Sequence, residues 1–345
     1  MRYKFGLCGP FDFEEKSTGG QSVKTREFYY GMCSAIGKDN IQILESTLYK
    51  KNPFSFFFKM VKLMKNSECV VIFPAQNGIK VLAPLCKVLK KCFHTKIYYS
   101  VIGGWLANII DKNPVLKKSL TSFDCILVET NVMKQELVER KITNVIKLAN
   151  FKRVDAINKS DIREVTFPVR LCYFSRVTPM KGVADAVQVV NRINRDRAKC
   201  ILDIYGPITD GYENEFKKLC DEFCEGISYK GKINPLESVE IISKYDLQLF
   251  PTHYKTEGIP GSILDSYFAG VPVLAAKWNS FSDLIIDNET GVGYEINNVE
   301  DFYKKLNELI DNTKKIEKMK YRALQEAELY MPEIVIQEFL KITRR

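Results

Sequence analysis

Two carboxylates, Glu257 and Asp265, bracket the segment Gly258-Ile259-Pro260-Gly261-Ser262. Before it, Asp246 to Phe250 reads as a short buried strand stopped by Pro251, and behind it Ser262 to Ala269 reads as a helix that ends at Gly270 and Pro272. Between strand and helix the chain is Gly/Pro loop, so backbone N–H groups face outward at a helix N-terminus. That is an anion site suited to phosphate. A carboxylate on each side could accept hydrogen bonds from sugar hydroxyls flanking a diphosphate, a set that suits a sugar nucleotide. The plainer reading of the same residues is an αβ turn whose acids solvate a helix. A second set lies at Arg176 and Lys181, in the loop after the strand Val169 to Ser175 and before a helix over 183–195. Arg binds phosphate bidentately and Lys acts as a mobile point charge, though a solvated loop pair would look the same.

These groups need elements to position them, and the chain supplies a strand–helix rhythm twice. In the first half, Tyr3 to Cys8 reads as a strand and Val23 to Ile36 as a helix, with Gly19-Gly20 in the loop between them. Such a turn is a further anion site, or simply a flexible connection. Val70 to Phe73, Lys96 to Ile102, Cys125 to Thr130 and Asn144 to Leu148 read as further strands, with a helix over Gly78 to Lys91. The strand from Lys96 delivers Gly103-Gly104-Trp105 at its end, where open α/β sheets bind ligands. A polar linker over 155–166 leads to the second half, with strands at Cys200 to Tyr205 and Ile227 to Tyr229 and a helix from Pro235 to Tyr245. Asp283 to Asp287 and a Gly291-Val292-Gly293 turn close the sheet. Helices cover 299–329, and Pro332 opens a last one.

One stretch stands apart. From Lys50 to Lys65 the apolar Phe54, Phe57, Phe58, Val61 and Met64 keep helical spacing, while Lys59, Lys62 and Lys65 recur every third residue. A basic, Phe-rich amphipathic helix can lie on an anionic membrane surface. It can equally turn its Phe face to the core and its Lys row to water.

The chain of 345 residues is long enough for about two domains, and 46% hydrophobic with 27% charged residues fits a globular protein. No start resembles a signal peptide and no apolar run approaches a membrane span, so a cytoplasmic protein, peripheral on the inner face of the membrane at most, is expected. The 10 cysteines form no CxxC pair and only two histidines, His94 and His253, are present, which argues against a zinc site. Residues 1–163 carry 27 Lys and Arg against 14 Asp and Glu, and the remainder 24 against 28. A basic first half suggests an anionic partner; with no nucleic-acid motif beside it, a membrane or an anionic acceptor is the better match.

Glu257-Gly-Ile-Pro, the second acid at Asp265 and the exit Ala269-Gly-Val-Pro-Val resemble the signature of the family-4 retaining glycosyltransferases. The second acid is usually Glu in that family; here it is Asp. The resemblance covers nearly the whole chain and implies an α/β GT-B fold: two Rossmann-like domains facing a cleft, 1–163 on the acceptor side and 164–329 binding the nucleotide sugar, with 330–345 a helix returning to the first domain. It implies transfer of a hexosyl group from a nucleoside diphosphate sugar to a saccharide or lipid-linked acceptor in polysaccharide or glycolipid synthesis, with neither metal nor cofactor. Glu257 would hold the donor sugar, Asp265 the ribose, and Arg176, Lys181, Gly19, Gly20 and the Gly258–Ser262 amides the diphosphate. Ile233 would meet the base, and Gly103, Gly104 and Trp105 would line the acceptor side. The family's His in that region has no counterpart here. A sugar-nucleotide 2-epimerase and a non-catalytic GT-B scaffold are the alternatives.

Overall fold

The computed structural model describes residues 2–14 and 20–344. The chain divides into two units: Met1–Arg153 with Tyr330–Arg345, and Val154–Leu329. The division falls at Arg153, ten residues before the expected 163, because the connecting stretch packs on the second unit. There the Ile157 N–H donates to the Phe268 carbonyl (3.0 Å) and the Arg163 guanidinium to the Lys244 carbonyl (3.0 Å).

In the first unit the strands are β1 (Tyr3–Gly9), β2 (Ile41–Glu45), β3 (Ser67–Ile72), β4 (Lys96–Ser100), β5 (Cys125–Val128) and β6 (Val145–Lys147). They form one parallel sheet in the order β2-β1-β3-β4-β5-β6. Its helices are α1 (Gly20–Ile36), α2 (Leu48–Lys51), α3 (Pro53–Asn66), α4 (Gln76–Phe93), α5 (Leu106–Ile110), α6 (Pro114–Leu120) and α7 (Asn131–Glu139). Parallel strands need crossovers, which cover both faces and account for the near-continuous apolar runs of β3 and β5. β2 was passed over in the sequence reading; its outer residues alternate with polar ones at the sheet edge.

The second unit holds β7 (Val169–Phe174), α8 (Val183–Ile193), β8 (Cys200–Tyr205), α9 (Glu213–Asp221), β9 (Ile227–Gly231), α10 (Ser238–Ile242), β10 (Leu247–Phe250), α11 (Gly261–Phe268), β11 (Val273–Ala276), β12 (Gly291–Tyr294), α12 (Val299–Asp311) and α13 (Thr313–Ala327). Its parallel sheet runs β12-β11-β10-β7-β8-β9. The order reverses between β7 and β10, as it does between β1 and β3 in the first sheet, and such a reversal is where doubly wound sheets take ligands. Two expectations are corrected here. Gly291-Val292-Gly293 is strand, not turn: a Cβ on Gly293 would lie 2.6 Å from the Phe281 ring, so the glycine serves packing. The helix expected from Pro235 is only the five residues of α10 after a 3-10 turn.

The last helix, α14 (Pro332–Thr343), belongs to the first unit. Phe339 packs its ring against Phe28, Phe5 and Tyr98 at centroid distances of 4.9, 5.7 and 5.9 Å. Gly31 of α1 permits the contact, since a Cβ there would stand 2.9 Å from Ile336.

Candidate functional site

β7 and β10 are hydrogen-bonded neighbours, so the loops after them, 175–182 and 251–260, emerge side by side at the carboxyl ends of the strands. Four contacts fasten them. The His253 N–H donates to the Met180 carbonyl at 2.9 Å. Gly182, at φ +70°, lets the first loop lie against Pro251; a Cβ there would stand 1.8 Å from the Pro251 carbonyl oxygen. The His253 imidazole meets the Asp185 carboxylate at 2.8 Å. Fourth, Lys181 and Glu257, 76 positions apart in sequence, form an ion pair through Nζ and Oε1.

That pair sits in a shaped surround. The Thr252 hydroxyl donates to the same Glu257 oxygen at 3.1 Å. The Lys181 ammonium lies 5.1 Å from the Phe250 ring centre and 5.4 Å from that of Tyr254, within reach of cation–π attraction. Its side chain is 10% exposed and that of Glu257 16%, so both remain open to a small ligand. Beneath them the Tyr173 hydroxyl donates to the Arg176 and Lys181 carbonyls at 3.1 and 3.3 Å. Burial pushes the Tyr173 phenol well above its ordinary value, which keeps that hydroxyl protonated and the first loop anchored. Arg176 projects from this loop as an exposed guanidinium. The second loop leads into α11, whose N-terminus at Pro260 is capped by no side chain. Gly258 and Ile259 are buried, Pro260, Gly261 and Ser262 half-buried, and Asp265 is 2% exposed one turn into the helix. The uncapped amides, the Lys181 ammonium and the loop that carries Arg176 thus stand at one edge of the sheet, where anionic charge could be received.

Residues 157–326 match the family described as Glycosyl transferases group 1. Through this unit, just under half of the chain, it resembles the glycosyl transferases, group 1. Over its whole length it resembles the solved Anabaena Alr3699/HepE in complex with UDP, with a TM-score of 0.77, 13% identity and 100% of each chain covered. It resembles sucrose-phosphate synthase (tll1590) from Thermosynechococcus elongatus with a TM-score of 0.78 and 13% identity, covering 99% of this chain and 98% of that one. The shared architecture is GT-B, two parallel α/β units. In sequence it is similar to the uncharacterized glycosyltransferase MJ1069 of Methanocaldococcus jannaschii, 21% identical over 231 residues. That match covers 65% of this chain and 56% of the relative's length.

The structure brings Lys181 and Glu257 into contact, sets the loop carrying Arg176 beside the one that leads into 258–262, and adds Thr252, His253 and Asp185, which the sequence reading did not assign. All three stand within five residues of a predicted group, so their proximity was there to be read; their contacts were not. Ile233 lies half-buried just past β9, in the same unit. Gly19 lies outside the described residues, and Gly20 is the exposed first residue of α1. Gly103, Gly104 and Trp105 do not line the cavity at the ends of β1, β2 and β3. Instead the Trp105 indole N–H donates to the Ile102 carbonyl at 2.7 Å, and the ring packs on the core. That cavity, about 410 Å³, opens at the ends of β1, β2 and β3 between Pro10, Ser46, Tyr49, Phe56 and Pro74. Among the described residues no cluster of His, Cys, Asp or Glu is arranged to hold a metal ion. Burial pushes the Cys86, Cys125 and Cys200 thiols up to about 12, which makes them core residues, not nucleophiles.

Proposed function

We propose that this chain transfers a hexosyl group, with retention of anomeric configuration, from a nucleoside diphosphate sugar to an acceptor hydroxyl in cell-surface polysaccharide or glycolipid synthesis. The observation that carries this reading is the largely buried Lys181–Glu257 pair, on the loops that lead to an uncapped helix N-terminus at the reversal point of the second sheet. HepE, similar in fold, has been solved with UDP, which favours a uridine diphosphate sugar as donor.

In this reading the phosphates sit over the α11 N-terminus. Arg176 and Lys181 meet the negative charge that develops on the departing diphosphate, an electrostatic stabilisation aimed at the transition state. Lys181 is shared between Glu257 and a phosphate oxygen when donor is bound. Glu257, fixed by Thr252 and Lys181 through one oxygen, turns its other oxygen to the sugar hydroxyls. Asp265 serves the ribose from behind the phosphate-binding amides, and the chain beside Ile233 meets the base. Charge on the leaving group is answered by protein cations and amides, so the reading calls for no metal.

A screen of nucleoside diphosphate sugars for slow hydrolysis, read by mass spectrometry, tests the activity directly. We expect one or a few donors to be cleaved to nucleoside diphosphate and free sugar. Glu257→Gln should lower that turnover by ~100-fold or more while leaving nucleoside diphosphate affinity within a few-fold. Absence of turnover with every donor would favour a binding scaffold, and an isomerised sugar nucleotide as product would identify an epimerase.

A further inference from the structure

The helix α3 is apolar on both sides. Phe56, Met60, Leu63 and Met64 face the core; of the stripe Phe54, Phe57, Phe58, Val61 and Met64, which the sequence left open to core or membrane, only Met64 is buried. Those three rings point outward instead, with Phe54 80%, Phe58 68% and Phe57 42% exposed. The rings of Phe57 and Phe58 stack edge to face at 5.7 Å, and Val61 lies half-buried among them. Lys59, Lys62 and Lys65 are exposed along the same helix, preceded by Lys50 and Lys51. From Leu48 to Asn66 there is no carboxylate.

Single exposed apolar side chains are ordinary, but three clustered rings with a basic border mark a covered surface. Whatever covers it must offer apolar depth to the rings and negative charge to the ammonium groups. A second copy of this chain, meeting itself through a symmetric face, would set Lys row against Lys row. An anionic lipid leaflet supplies acyl chains for the rings and headgroup charge for the lysines together. The helix that bears the rings also borders the 410 Å³ cavity, through Phe56 on its inner side, with Tyr49 and Lys50 of α2 in the same lining.

We infer that the outer face of α3 docks on an anionic membrane, with Phe54 and Phe58 in the interface. The adjoining cavity then stands at the lipid surface, where it receives an acceptor carried on a lipid. The identity of the acceptor rests on the transferase reading above; the docking does not, and the two fail separately. Flotation with phosphatidylcholine vesicles, with and without phosphatidylglycerol, reads the docking, while donor hydrolysis in solution reads the transferase. We expect binding only to the anionic vesicles, weakening as salt is raised. The triple change Lys59→Gln, Lys62→Gln, Lys65→Gln should weaken it about 100-fold. Phe54→Ser with Phe58→Ser should weaken it at least ~10-fold. All five residues are exposed, so thermal unfolding and donor hydrolysis should stay at wild-type values. Protein that ignores anionic vesicles at low salt, or variants that bind as wild type does, would overturn the inference. So would a lipid-free dimer that the Phe changes disperse, since it would assign the face to a second copy.

Discussion

The second unit holds two Lys–acid pairs at opposite edges of one sheet. At the amino edge, Lys320 of α13 meets Asp246 at 2.8 Å, just before β10, with side chains 2% and 5% exposed. Both carboxylate oxygens are engaged there: the other Asp246 oxygen accepts the Arg170 backbone N–H at 2.9 Å, and the Lys320 ammonium also donates to the Arg163 carbonyl at 3.0 Å. Burial holds the Lys320 amine below its ordinary value despite its partner. At the carboxyl edge, both contacts of Glu257 fall on one oxygen, and the pair is more open to solvent. The chemistry of the two pairs is the same. Saturation makes one a brace between β7, β10 and α13, and incompleteness makes the other a receptor.

The comparison predicts opposite phenotypes. Lys320→Met would leave Asp246 buried without its cation, which costs about 3–5 kcal/mol of stability. Urea unfolding should show the full loss, and a loss below ~1 kcal/mol would mean that the edge is more hydrated than the burial implies. Lys181→Ala at the other edge should lower turnover ~100-fold or more, the scale for removing one preorganised donor, with a stability change near ~1 kcal/mol. If Lys181→Ala unfolded the unit and left residual activity normal per folded molecule, the distinction between brace and receptor would collapse.

Much of the receptor could be read from residue order alone. Strand, Gly/Pro loop and helix start announce themselves locally, so Glu257, the 258–262 amides, Arg176 and Lys181 were all legible. Their union was not, because it depends on β10 lying next to β7, a choice of strand order that no local pattern encodes. The same limit applies to α3. A stretch with Phe at 54, 56, 57 and 58 has more than one helical stripe, and both 54-57-58-61 and 56-60-63-64 keep the spacing. Only packing against the sheet decided that the second is buried. Trp105 was read from its strand-end position, yet its N–H is satisfied within its own loop. The domain boundary moved because Ile157 and Ile162 cover Gly270 of the second unit, a contact across more than a hundred residues of sequence.

The smallest expected effect sharpens the comparison most. His253 touches the receptor without belonging to it: its imidazole holds Asp185 on the first turn of α8, and these side chains are 30% and 19% exposed. Removing it deletes one partly exposed hydrogen bond, worth about 0.5–1.5 kcal/mol. The three other ties between the loops survive the change, because the His253 N–H to the Met180 carbonyl is backbone and neither the Gly182–Pro251 contact nor the Lys181–Glu257 pair involves the imidazole. Lys181 should therefore keep its place. His253→Ala should show a small fall in urea midpoint and a turnover loss under ~10-fold, carried by a wider spread of Lys181 positions. The two effects should move together across His253→Ala, His253→Gln and His253→Phe, since each acts through the same brace. A turnover loss in His253→Ala as large as that of Lys181→Ala, with stability unchanged, would place the imidazole in contact with the donor itself. The open edge of the sheet would then carry a third receiving group.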